Sequence, residues 1–299
     1  MKSRKYLRFR YLLTRGMTLE ILTDRTEIGR MVGQFLFVKH VQKPRGRVKQ
    51  LKILWNEQMN YYHFTAHDGK TMRARNPTAL LPLIDQEARW NALTHLPLNF
   101  FPVHSAGLTK NGNVLLILGE SGSGKSTVLF DLVKKGWQGL SDELNFLDLR
   151  TFRVYPFLRT WSMKGRVPGD FQQKPHVRIF VKWQNQRKVK SLFYFSKNGF
   201  KNNDSIKSPC KLRAIFILKT RGAKKPACSR LSEIEVIKAL IDNSYVLGFR
   251  RSLKSKYRRK YIHLSRKLFK QSHRFERQFK GYQLKTNKAS RFSYLIMKQ

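Results

Sequence analysis

From Gly119 to Ser126 the chain reads Gly-Glu-Ser-Gly-Ser-Gly-Lys-Ser, filling the pattern G-x-x-x-x-G-K-S/T at every demanded position. Each position has a physical task. Glycines let the backbone curl so that successive N–H groups face phosphate oxygens. Lys125 would carry a mobile positive charge to the β and γ phosphates, and Ser126 would place its hydroxyl on magnesium. The helix starting there would add the positive end of its dipole. The stretch Gly119, Glu120, Ser121, Gly122, Ser123, Gly124, Lys125, Ser126 and Thr127 is therefore expected to hold ATP with Mg2+.

Two further groups of reactive side chains flank this loop. Asp142 and Glu143 follow it at the end of an expected strand, where adjacent acids can hold magnesium and accept a proton from a hydroxyl nucleophile. Taken alone, an Asp-Glu pair more often sits in solvent or caps a helix. His104 precedes the loop, placed to reach a γ-phosphate as a donor or in a proton relay, although a lone histidine beside an aromatic strand is more often structural. His63 and His67, four apart, flank a strand running into a turn, a poor arrangement for a metal.

These residues need a scaffold. The fully apolar run Val114 to Leu118 predicts a buried central strand, entered by a turn at Lys110-Asn111-Gly112-Asn113 and preceded by a strand over Asn99 to Val103. Ser126 to Lys135 predicts a helix with Val128, Leu129, Leu132 and Val133 inward and Gly136 as its stop. Further strands are expected at Asn145 to Leu149, His176 to Lys182, Ser191 to Phe195 and Leu212 to Leu218. The polar stretch Asn185 to Pro209 reads as a hairpin with a surface excursion, and Leu231 to Leu247 as a helix opened by a Ser232/Glu235 capping box. Upstream, Gln34 to Lys39 and Leu51 to Trp55 look like strands. Turns are expected at Lys43 to Gly46 and His67 to Lys70, followed by a helix over Leu80 to Leu93 with Leu81, Ile84, Ala88 and Ala92 on one stripe. The expected division is 1–96, an α+β region; 97–249, the nucleotide-binding domain; and 250–299, a basic helical extension with interleaved aromatics, or an amphipathic helix pair packed on the core.

Composition narrows the partners without selecting one. The 299 residues hold 61 Lys plus Arg against 18 Asp plus Glu, a net charge of +43, which favours nucleic acid, an anionic membrane surface or an acidic protein. An apolar fraction of 41% suffices for a core. Cys210 and Cys228 form neither a disulfide framework nor a metal knuckle, so a reducing, cytoplasmic setting is expected. No apolar run approaches the ~20 residues of a transmembrane helix, and the basic N-terminus lacks a secretory core. A homo-oligomer is compatible with these properties.

The run HSAGLTKNGNVLLILGESGSGKSTVLFDLVKKGWQGLSDE, His104 to Glu143, resembles the core of the HPr kinase/phosphorylase family and its HPr-kinase-like relatives. That resemblance implies an α/β fold with a mixed sheet of the phosphoenolpyruvate-carboxykinase-like type. Its implied roles are Asp142 as general base, Lys125 gripping the phosphates, Ser126 ligating magnesium, Glu143 supporting the metal and His104 assisting at the γ-phosphate. It also makes Arg159 and Lys164 substrate or phosphate contacts. Thr127 stands where true HPr kinases carry an acid, Glu143 replaces a second Asp, and the later glycine-rich signature of phosphorylase activity is missing, so HPr is only one possible acceptor. The expected activity is transfer of the ATP γ-phosphoryl group to a hydroxyl, foremost a Ser or Thr of a protein or peptide. The alternatives are a nucleic-acid-associated ATPase using the basic tail, and a nucleotide-binding scaffold.

Overall fold

The computed structural model describes residues 6–14, 17–36, 41–44, 46–95, 97–157, 161–164, 176–183, 186–193, 209–219, 226–245, 255–286 and 291–299. It is a mixed α/β protein with two compact units, Met1–His95 with Leu158–Lys201, and Leu96–Phe157 with Asn202–Gln299. This two-part division differs from the three successive segments expected from the sequence. Among the described residues no helix is long and apolar enough to cross a membrane.

The first unit opens with β1 (Leu7–Thr14), β2 (Met17–Thr23), α1 (Thr26–Leu36), β3 (Arg47–Asn56), β4 (Tyr61–Thr65), β5 (Thr71–Ala74) and α2 (Pro77–His95). The five strands pair in chain order, all antiparallel except the β2–β3 pair joined through α1. Gln34, expected to begin a strand, lies in α1, which extends to Leu36. The apolar residues Ile28, Val32, Phe35 and Leu36 recur at helical spacing and bury together, so a short run that looks strand-like locally is claimed by the 3.6-residue period. The α2 stripe is as expected, with Leu81, Ile84, Ala88 and Ala92 buried. The Asn76 side chain accepts the Ala79 amide at the helix start, 2.9 Å away.

The second unit contains β6 (Phe100–His104), β7 (Ala106–Lys110), β8 (Asn113–Leu118), α3 (Lys125–Lys134), β9 (Gln138–Ser141), β10 (Leu144–Asp148) and β11 (Arg153–Pro156). The chain then gives the first unit an antiparallel sheet of β12 (Ser162–Lys164), β13 (His176–Trp183) and β14 (Gln186–Phe193), ordered β12-β14-β13. It returns as β15 (Cys210–Lys219), β16 (Ala227–Arg230), α4 (Glu233–Asp242), α5 (Ser255–Lys270), α6 (Phe275–Gln278), β17 (Lys280–Lys285) and α7 (Phe292–Met297). Of the strand expected at Ser191 to Phe195, Ser191 to Phe193 end β14, which starts earlier, and the rest lies outside the described residues.

The large sheet runs β6-β10-β11-β15-β8-β7-β9, with β17 beside β15 and β16 beside β17. It is mixed: β8 and β17 each lie parallel to β15, while the other pairs are antiparallel. Between β7 and β8 the tight turn uses Asn111 at φ 51° and Gly112 at φ 75°, the left-handed pair that a two-residue hairpin requires. The last fifty residues are not only a helical extension, because they supply β17 to this sheet, with Gly281 opposite Ile215 and Leu284 opposite Leu218. Phe275, Phe279, Tyr282 and Leu284 are buried there, so these three aromatics belong to the core, while Phe269 is exposed. The added apolar burial offsets the density of positive charge in this segment.

Candidate functional site

Strand register gathers the chemistry-bearing residues at one end of the large sheet. Ile117, next to last in β8, lies opposite Ala106, the first residue of β7. Gly107 lies opposite Ser141, the last residue of β9. Leu144, the first residue of β10, lies opposite His104, the last of β6. The loop after β8, the Asp142-Glu143 turn between β9 and β10, and His104 therefore share one edge. β7 lies between β8 and β9 and is antiparallel to both, so β8 and β9 run parallel and their C-terminal ends, which lead into the loop and the Asp142-Glu143 turn, fall at the same end.

The loop itself is a tight curl. Gly119, Gly122 and Gly124 have φ of 148°, 89° and 91°. At Gly119 the requirement is also steric: a Cβ there would lie 2.6 Å from Ser123 Oγ and 3.0 Å from the Leu218 carbonyl, so no other residue fits without moving backbone. The Ser123 amide donates to the Glu120 carbonyl at 3.1 Å, closing the turn. Ser123 Oγ is buried and has no hydrogen-bond partner among the described residues. Lys125 is only 8% exposed, and its ammonium donates to the Gly119 and Glu120 carbonyls at 2.6 and 3.0 Å. The cation is thus seated inside the loop rather than reaching into solvent.

Helix α3 begins at Lys125 with Gly124 as N-cap and no side-chain cap from that residue, and the N-terminal end of a helix is suited to an anion. Val128, Leu129, Phe130 and Leu132 anchor its inner face, with Phe130 buried where Val133 was expected. Gly136 at φ 85° ends it in a Schellman pattern, with the Gly136 amide on the Val133 carbonyl and the Trp137 amide on the Leu132 carbonyl. Ser126 is half-buried at the first turn, while Thr127, Glu120 and Ser121 are exposed.

Asp142 is 5% exposed and Glu143 half-buried. The turn holding them is capped by Ser141, whose hydroxyl accepts the Glu143 and Leu144 amides at 3.4 and 3.3 Å. Behind it, buried Asn145 donates to the Ser105 carbonyl at 2.9 Å and to the Ser105 hydroxyl at 3.1 Å, tying the start of β10 to the link between β6 and β7.

A short segment after α4 joins all three parts, and sequence reasoning missed it. Asn243 Oδ1 accepts the Gly119 amide at 3.1 Å, and the Asn243 carbonyl accepts the His104 amide at 2.7 Å. Its Nδ2 donates back to the Ala239 carbonyl at 2.9 Å, fixing the amide's orientation. Ser244 bridges to Val103. Tyr245 donates its hydroxyl to Glu143 Oε1 at 3.1 Å and sets its ring edge-on to the His104 imidazole, centroids 5.8 Å apart and planes at 89°. The expected helix over Leu231 to Leu247 passes through these residues. The observed helix has the Ser232/Glu235 capping box but stops at Asp242, releasing Asn243 and Tyr245 into site contacts. An Asn directly after a helix was the available signal.

Other expected positions lie elsewhere. Arg159 is outside the described residues, and Lys164 is described only as part of β12 in the first unit. His67 Nδ1 lies 3.0 Å from Glu87 Oε2, and the His63 ring packs tilted against Tyr61, 4.8 Å between centroids. Among the described residues no cluster of three or more His, Cys, Asp or Glu side chains is placed to hold a metal unaided. Magnesium carried by a triphosphate makes no such demand, since phosphate oxygens and water fill most of its coordination shell. The curled glycines, the buried Ser123 hydroxyl and the seated ammonium fit a phosphate group. No protein-family model matches the chain, and no curated protein matches it significantly.

Proposed function

We propose that the second unit is an ATP-dependent phosphotransferase of the HPr-kinase-like type, acting on a hydroxyl acceptor, foremost a Ser or Thr side chain of a protein or peptide. The observation that supports this reading is the convergence of the Gly119–Ser126 loop, the buried Asp142 carboxylate and His104 on one sheet end, held together by Asn243 and Tyr245.

In this reading the loop amides and the N-terminal end of α3 bind the β and γ phosphates. Lys125 exchanges its carbonyl partners for phosphate oxygens, keeping the charge already stationed at the loop. Asp142 accepts the proton as the acceptor oxygen attacks the γ-phosphorus and the bond to the bridging oxygen breaks, leaving ADP. Burial keeps water from competing for that carboxylate. His104 faces the charge that develops on the transferred group. Magnesium, held by Ser126, Asp142 and Glu143 with the phosphates, would neutralise the charge on the leaving oxygens.

Radiolabelled ATP offered with a library of Ser- and Thr-containing peptides tests the assignment. Lys125→Ala is expected to lose both nucleotide binding and transfer. Asp142→Asn is expected to retain nucleotide binding, weakened only by the loss of one magnesium ligand, and to transfer about 10²–10⁴-fold more slowly. Transfer by Asp142→Asn at the wild-type rate removes this residue as the base. A wild-type protein that binds ATP and labels no hydroxyl overturns the kinase reading.

A further inference from the structure

Helix α5 combines two properties that the nucleotide site does not use. Its sequence, Ser-Lys-Tyr-Arg-Arg-Lys-Tyr-Ile-His-Leu-Ser-Arg-Lys-Leu-Phe-Lys, contains no acidic residue. Leu264 and Leu268 are buried, and Tyr261 beside them approaches the Phe101 ring, centroids 6.2 Å apart, and the Ile241 carbonyl. This stripe seats the helix on its own unit. The opposite crest presents Arg259, His263, Arg266 and Lys270, all exposed, at spacings of three or four residues.

Along one flank of that crest stand Ile262 and Phe269, 50% and 54% exposed. They are seven residues apart, so they share one side of the helix about 10 Å from each other. Large apolar side chains half in water beside a basic row suit a partner that accepts both.

We propose that the outer face of α5 docks the protein on an anionic lipid surface, with Arg259, Arg266 and Lys270 at the headgroups and Ile262 and Phe269 entering the acyl boundary. A cluster of basic side chains on an amphipathic helix is the pattern that draws a segment to acidic lipids, and apolar side chains on the same face add insertion. The net charge of +43 gives a long-range attraction of the same sign. A single-stranded nucleic acid would use the cations but gain nothing from Ile262, which has no π face on which a base could stack. An acidic protein partner would favour a broad apolar centre ringed by polar groups, whereas here the apolar pair forms a narrow row along the helix axis.

The test uses the full chain with vesicles of phosphatidylcholine alone, vesicles containing phosphatidylserine, and a single-stranded RNA of mixed sequence. Co-sedimentation is expected only with the phosphatidylserine vesicles. Ile262→Ser with Phe269→Ser should weaken it about tenfold or more, and Arg259→Gln with Arg266→Gln by a similar factor. Phe269→Trp should give a blue-shifted emission on adding those vesicles, which direct insertion requires and charge attraction alone does not produce. Equal binding to both vesicle types, no loss in the apolar double variant, no blue shift, or RNA binding tighter than vesicle binding and indifferent to the apolar substitutions would each overturn the proposal. The substituted side chains are exposed, so unchanged circular dichroism is expected for every variant.

Discussion

The two ends of β10 both carry carboxylates, and they use them in opposite ways. At its exit, Asp148 accepts the Asn99 side-chain amide at 2.8 Å, the Arg150 backbone amide at 2.9 Å and the Thr151 hydroxyl at 2.9 Å. Burial pushes this carboxyl up, but those donors and the Arg150 charge together hold it below the ordinary carboxylate range. At its entrance, the turn amides that an acid could have capped are taken by the Ser141 hydroxyl. Neither Asp142 nor Glu143 is needed to close that turn. One strand thus separates an acid that closes a turn from acids beside a turn that a neutral serine closes.

Substitutions can break this contrast, and the largest effect belongs to Asp142→Asn. Its transfer rate should fall by about 10²–10⁴-fold while the isosteric amide keeps the fold, seen as an unchanged circular dichroism spectrum. A large stability loss in denaturant titration would make Asp142 a second Asp148. Next comes Asp148→Ala, which strands the buried Asn99 amide and should cost about 2–3 kcal/mol, with the ATP affinity of the folded protein unchanged.

The pH dependence follows from the same pair of ends. Because the folded carboxyl of Asp148 titrates below its unfolded value, its stabilisation is present above about pH 4 and is lost as pH falls through the folded value. Acid titration of Asp148→Ala should therefore show a shallower decline than wild type. Smaller effects are expected from the residues that hold the site. Asn243→Ala removes one acceptor from the Gly119 amide and should weaken ATP binding about fivefold, seen by calorimetry. Tyr245→Phe keeps the ring against His104 but removes the hydroxyl from Glu143, and should lower kcat about two- to fivefold with little change in the KM for ATP.

The glycine loop and its supporting strand and helix were legible because a short local pattern specifies them: an apolar run, a glycine motif, an amphipathic repeat and a terminal glycine. The capping box of α4 was legible for the same reason. What escaped was set at long range. Asn243 acts on Gly119 across 124 positions, and Tyr245 on Glu143 across 102, with no periodicity to reveal either contact. The C-terminal strand was hidden differently. Lys-Gly-Tyr-Gln-Leu-Lys reads as polar and basic, yet β17 lies parallel to β15 with Gly281, Tyr282 and Leu284 buried. Gly281 lets α4 pack closely on this strand, because a Cβ there would lie 2.2 Å from the Val236 side chain.

The Asn243 acceptor on the first amide of the loop also sets an order of assembly. A nascent chain that has emerged as far as Ser126 carries the whole glycine motif, but the residue that orients its first amide is synthesised 124 positions after Gly119. The strand that flanks β15 comes later still, at Lys280–Lys285. Contacts of such separation form late and slowly. The candidate site should therefore mature only after Asn243 and β17 have been synthesised, and a fragment ending before Asn243 would contain every residue of the motif without its finished geometry.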